Sequence, residues 1–155
     1  MLLSGRPQTA PGYDTARSCA MSEFNDLIVA YSKNPPNRGE IEGATVEHLE
    51  ESRVCADVLK VWMKISPDGV VQEWVFDGKT SLVTTACAAV FGESIVGKLV
   101  SEILPLQYFY VRDLLGMDVT PKRHHAASLP VLATRNALHK WLQDGKVDDF
   151  SDVLP

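Results

Sequence analysis

The run Asp57-Val58-Leu59-Lys60-Val61-Trp62-Met63-Lys64-Ile65, followed by Ser66-Pro67-Asp68-Gly69 and then Val70-Val71-Gln72-Glu73-Trp74-Val75-Phe76, decides the fold. Successive side chains of an extended strand point to opposite faces, so Leu59, Val61, Met63 and Ile65 share one face and Lys60 and Lys64 the other. Ser66 to Gly69 reads as a turn, because proline presets φ and glycine accepts a positive φ. Val70 to Phe76 then returns as the second strand of a hairpin.

Working outward, Gly43 to Glu50 alternates more weakly and reads as a further strand. After Asp77-Gly78 the period changes to that of a helix. Thr80 or Ser81 is its N-cap, Val83, Cys87 and Val90 form its apolar stripe, and Gly92 is its expected end. Shorter helical pieces follow near Leu99 to Leu104 and Gln107 to Leu115. Thr120-Pro121 offers an N-cap followed by proline at the first helical position. Pro130 interrupts that helix, since proline lacks an N–H and clashes with the preceding turn. Two readings stay open: a helix kinked at Pro130, or a short turn before a helix capped by Ser128 that carries Val131, Leu138, Trp141 and Leu142.

Upstream, Ser22 caps a helix to about Tyr31, and Asn34-Pro35-Pro36-Asn37-Arg38-Gly39 stops it. Strands followed by helices predict an α+β fold, a small antiparallel three-stranded sheet with helices packed on one face. Residues 1–21 read as a flexible tail, 22–145 as the domain and 146–155 as an acidic C-terminal tail.

The chain has 155 residues, 45% of them hydrophobic, enough for one ordinary core. A formal net charge of -5 argues against a general nucleic-acid binder. No apolar stretch is long enough to span a bilayer. Cys19, Cys55 and Cys87 stand at unrelated spacings, which suggests free thiols rather than a disulfide framework and hence a reducing, cytoplasmic setting.

Four motifs occur in order: Tyr31 through Asn37 (Y-x-x-N-P-x-N), Cys55-Ala56-Asp57 (C-A-D), Glu93 through Lys98 (E-x-x-x-G-K) and Thr120 through Pro130 (T-P-x-R-x-x-A-A-x-L-P). Over roughly Ser22 to Leu142 their order and separations resemble the U-type iron–sulfur cluster assembly scaffolds (IscU, SufU and the N-terminal domain of NifU). That family presents three cysteines and an aspartate around one site. Position by position, its first cysteine falls on Cys55, its aspartate on Asp57, its second cysteine on Ser81 and its third on Ala126, preceded by His125.

The resemblance implies a non-enzymatic scaffold in iron–sulfur cluster assembly. It also implies iron or a two-iron, two-sulfur cluster as the bound group, with zinc as an alternative. A cysteine desulfurase and apo iron–sulfur acceptor proteins are the implied partners, for a chain acting as monomer or homodimer. The sulfur-accepting thiol of the family lies at Ala126, so that step is not open to this chain by the same route. The family's chaperone-binding stretch is matched in part by Val119 to Arg123.

One thiolate, one carboxylate and an imidazole still make a metal set, with Cys55, Asp57 and His125 around Zn²⁺ or Fe²⁺ and an open fourth position. Ser81 is a cofactor-site candidate by the mapping and a plain helix N-cap by residue type. Cys87 reads as core. His124 and His125 are about 100° apart on a helix and cannot chelate together. His48, His139, Glu50-Glu51 and Asp148-Asp149 read as solvated surface.

Two other functional readings remain. A metal-free adaptor would keep the docking surface of the scaffold without its cluster. A Cys-dependent hydrolase would use Cys55, His125 and Asp57 as nucleophile, base and orienting acid.

Overall fold

A computed structural model of the chain describes residues 26–54, 56–116 and 121–154. At its centre is the hairpin of β2 (Val58–Ile65) and β3 (Val71–Lys79), and β1 (Val46–Glu51) adds to β2 to give an antiparallel sheet in the order β1-β2-β3. Helical residues 26–33 (α1) precede the sheet. After it come α2 (Leu82–Ile95), α3 (Val100–Ile103), α4 (Tyr110–Leu115) and α5 (Pro121–Leu142). The α+β expectation is met, with an open three-stranded sheet and helices packed against it.

Leu59, Val61, Met63 and Ile65 are all buried, as their alternation predicts. Trp62, on the opposite face, is buried too, and the ammonium of Lys60 lies 4.8 Å from its ring centroid. In β3 the buried residues are Val71, Trp74 and Phe76, a spacing that strict alternation forbids. The register explains it. Lys64 pairs with Glu73 but Ile65 with Val71, so Gln72 is an extra residue in a bulge that returns Val71 to the core face.

The strand also runs further than its sequence suggests. Gly78 has a φ of 137° and pairs with Leu59; a Cβ there would stand 2.1 Å from the Val58 carbonyl oxygen. Glycine therefore continues the strand by allowing close approach rather than ending it.

Packing corrects one further expectation, at Gly92, and decides between the two readings open at Pro130. Gly92 lies inside α2, not at its end. A Cβ at Gly92 would come within 2.2 Å of the Trp74 ring, so its role is to let α2 cross that indole. Pro130 sits inside one continuous helix, α5, and Ser128 does not cap a second one; its hydroxyl donates to the His125 carbonyl at 3.0 Å. The lost backbone bond is tolerated because α5 buries Ala127, Leu129, Val131, Ala133, Ala137 and Leu138 against α2 and the sheet. The Trp74 indole N–H donates to Thr134 of α5 at 2.9 Å, joining β3 to that helix inside the core.

Beyond α5 the chain turns back through Gln143 and Gly145, both with positive φ. Asp148 accepts from Arg135 and contacts His139, each at 2.9 Å, and its backbone N–H donates to the Asn136 side chain at 2.7 Å. Phe150 is buried against Tyr108 and the Arg135 guanidinium. His139 is therefore a buried residue bridging Asp144 and Asp148, and Asp148 is held rather than solvated. Glu50, half-buried, accepts from Asn136 and meets His48. Asp149 and Glu51 are exposed, as expected.

Candidate functional site

Asp57 ends the loop after β1, immediately before β2, and is only 5% exposed. Its backbone carbonyl accepts the Ser52 N–H at 2.8 Å, closing the loop on itself, and Ala56 within the loop takes a left-handed φ of 58°. The carboxylate faces the start of α2. One oxygen accepts the Ser81 backbone N–H at 2.8 Å. The other accepts the Thr84 hydroxyl at 2.7 Å, with the Ser81 hydroxyl at 3.4 Å.

Ser81 is the N-cap of α2, as its residue type predicts, and its hydroxyl accepts the Thr84 backbone N–H at 3.3 Å. Thr85 adds a bond from its hydroxyl to the Ser81 carbonyl at 2.8 Å. The positive end of the helix and its unpaired N–H groups favour a carboxylate at this place. The two threonines were not singled out from sequence. The signal for Thr84 is its position three residues after the N-cap, where a polar side chain meets the cap.

His125 is half-buried in the first half of α5. With Arg53, Val54, Glu50, Leu129 and Phe150 it lines a cavity of about 180 Å³ between the loop after β1, α5 and the C-terminal segment. Neither Asp57 nor Ser81 lines this cavity. His124, its neighbour, is buried, and its Nδ1 has no hydrogen-bond partner among the described residues. Burial, then the Arg112 charge and His125, push the His124 pKa below its ordinary value. Ala126 is buried and offers a methyl group.

Cys55 lies outside the described residues, as do Cys19, Val119, Thr120 and the tail 1–21. Of the four proposed site residues the structure brings Asp57 and Ser81 together and sets His125 on the neighbouring cavity. Among the described residues no group of three His, Cys, Asp or Glu side chains is arranged to hold a metal ion. Cys87 is fully buried on α2, and burial raises its thiol pKa to about 12, which fits core packing.

A two-iron cluster takes four soft ligands. Here the hydroxyl at one expected thiolate position is engaged as a helix cap, another position carries a methyl, and the carboxylate is hydrogen-bonded on both oxygens. At these positions the described residues supply no thiolate.

An open three-stranded sheet under two long helices, with a loop and a helix start joined at its end, is a small α+β domain. Residues 23–147 match the model of the NifU-like N terminal domain, and the chain belongs to that family. The family is one of iron–sulfur cluster assembly scaffolds rather than enzymes.

The chain is 30% identical over 83 residues to the iron–sulfur cluster assembly scaffold protein IscU of Thermotoga maritima, covering 54% of this chain and 58% of that protein. It is 24% identical over 131 residues to an IscU of Archaeoglobus fulgidus, covering 84% of each. Among solved structures it is similar to a SUF-system cluster assembly scaffold protein from Fervidobacterium islandicum. That match has a TM-score of 0.64 and 20% identity, over 73% of this chain and 94% of that one. An N-terminal NifU-like protein from Brucella abortus matches with a TM-score of 0.61 and 16% identity, over 81% and 99% of the two chains. At these identities the structural likeness speaks for the fold.

Proposed function

We propose that this chain serves iron–sulfur cluster assembly as an adaptor, a scaffold-family domain that docks on a cysteine desulfurase without holding a cluster of its own. The observation that carries this reading is the commitment of Ser81 and Asp57 to each other and to Thr84 at the start of α2. Ala126 supports it, since a buried methyl neither accepts sulfur nor binds iron.

A second reading is favoured by His125, which shares a cavity lining with Arg53 and Val54, immediately before Cys55. In that reading Cys55 and His125, with Asp57, hold a single zinc or iron ion, and the chain is a scaffold with an atypical metal site. No comparable observation favours the hydrolase: both Asp57 oxygens bond to α2 residues rather than to an imidazole.

Elemental analysis of anaerobically purified protein for iron, zinc and acid-labile sulfide, beside a desulfurase pull-down, separates these. The adaptor reading expects desulfurase binding without metal or sulfide. Metal without sulfide that disappears in Cys55→Ala would establish the second reading, and iron with matching sulfide would overturn the adaptor.

A further inference from the structure

We infer that Thr84, acting with Ser81, is a positioning residue: it latches Asp57 to α2 and thereby presets the entry to β2 and the Ser52 N–H bonded to the Asp57 carbonyl, without a metal ion. The inference rests on the adaptor reading, and it assigns to two hydroxyl groups the work of fastening that entry.

Proton counting orders the bonds. The Thr84 hydroxyl has one proton, and at 2.7 Å it goes to Asp57. The Ser81 hydroxyl lies 3.0 Å from the Thr84 oxygen and 3.4 Å from Asp57, so its proton goes to Thr84 first. The chain of donors thus runs from Ser81 to Thr84 to Asp57, each bond polarising the next. At the other carboxylate oxygen the Ser81 N–H completes the set. Thr84 is fully buried and Asp57 nearly so, and bonds to an ionised acceptor are the strong ones in such a place.

The loop is anchored at two points by the same residue. The Asp57 carbonyl holds the Ser52 N–H, and its carboxylate holds α2. A cation arriving at Asp57 would compete with an N–H and a buried O–H for the lone pairs of the two oxygens. Between the two anchors lies Val54, 61% exposed, and Leu82, 53% exposed, opens α2 directly after the Ser81 anchor.

Hydrogen exchange of the full-length chain, resolved to peptides covering 50–57, tests this with EDTA present and with added Zn²⁺. The wild type should exchange at the same rate under both conditions. Thr84→Val should speed exchange of the loop by about tenfold or more, as expected for loss of a buried bond to a carboxylate. Thr84→Ser should restore it, and β2 and β3 amides should hold their protection, which separates loop release from unfolding. Unchanged loop exchange in Thr84→Val, or loop protection that Zn²⁺ raises in the wild type, would overturn the latch. If the purified protein carries metal while Thr84→Val still frees the loop, the adaptor reading fails and the latch stands. If the protein is metal-free and the loop ignores Thr84, the reverse holds.

Discussion

The Asp57 carboxylate accepts the Ser81 backbone N–H at 2.8 Å, so the loop after β1 is tied to the first turn of α2. Ser81 also caps that helix through its hydroxyl. Ser81→Ala keeps the backbone bond to Asp57 and loses the cap. It should lower stability by about 1 kcal/mol in a urea titration, with little change in the slope. A loss within error of zero would mean that the cap contributes nothing.

Ser81 and Ala126 stand where the resemblance expects thiolates. The double substitution Ser81→Cys with Ala126→Cys should give a chain that retains stoichiometric zinc after purification, read by elemental analysis. Thiolates are the donors this site lacks. Failure of the well-folded double variant to take up zinc would show that more than the two thiols separates this site from a metal centre.

His124 predicts a pH dependence. Its folded pKa lies below the ordinary value of 6.5, chiefly because burial disfavours the imidazolium. As pH falls through 6.5 the unfolded chain takes up this proton before the folded one, so stability decreases, levelling off only below the folded value. His124→Leu should flatten the decline between neutral pH and about pH 5.5, measured by denaturant titration at several pH values. Asp77, Asp144 and Asp149 are shifted below 3.8, so their losses come at lower pH and do not interfere.

Trp74 and Thr134 form a buried pair across the sheet–helix interface. Thr134→Val preserves volume but leaves the indole N–H without an acceptor, and should cost about 1–3 kcal/mol. A companion shift in tryptophan fluorescence is expected. Equal stability of the variant would refute the bond's contribution.

Asp148 gathers Arg135, His139 and Asn136 onto the segment after α5. Asp148→Ala should destabilise the chain by about 1–3 kcal/mol, because it removes the carboxylate that accepts from the mostly buried Arg135 guanidinium and contacts His139. Exchange of the amides around Phe150 should rise with it. If those amides stay protected, Phe150 alone anchors the segment.

How much of this was legible beforehand differs from element to element. The β2–β3 hairpin, the Ser81 cap and the core placement of Cys87 rest on local chemistry: alternation, turn residues and a cap before an apolar stripe. The scaffold resemblance was legible because its motifs keep their order along the chain. Ala126 and Ser81 read as departures from the family pattern on the same ground.

The rest depended on residues far apart in sequence. Gly92 reads as a helix end until the Trp74 ring is found beneath it. Pro130 leaves one helix and a broken one both open until the packing of α5 on α2 and the sheet decides for one. His139 and Asp148 read as surface until the chain turns back at Gln143 and buries their contacts.

The site divides in the same way. Residue type and order along the chain single out Asp57 and Ser81 as candidates, because caps, turns and motif spacing are properties of neighbouring residues. That Asp57 bonds to Ser81 and Thr84, 24 and 27 positions away, was decided only by the sheet carrying its loop to the start of α2. Hydrogen bonds act over about 3 Å, and only the folded chain brings such distant groups within that reach.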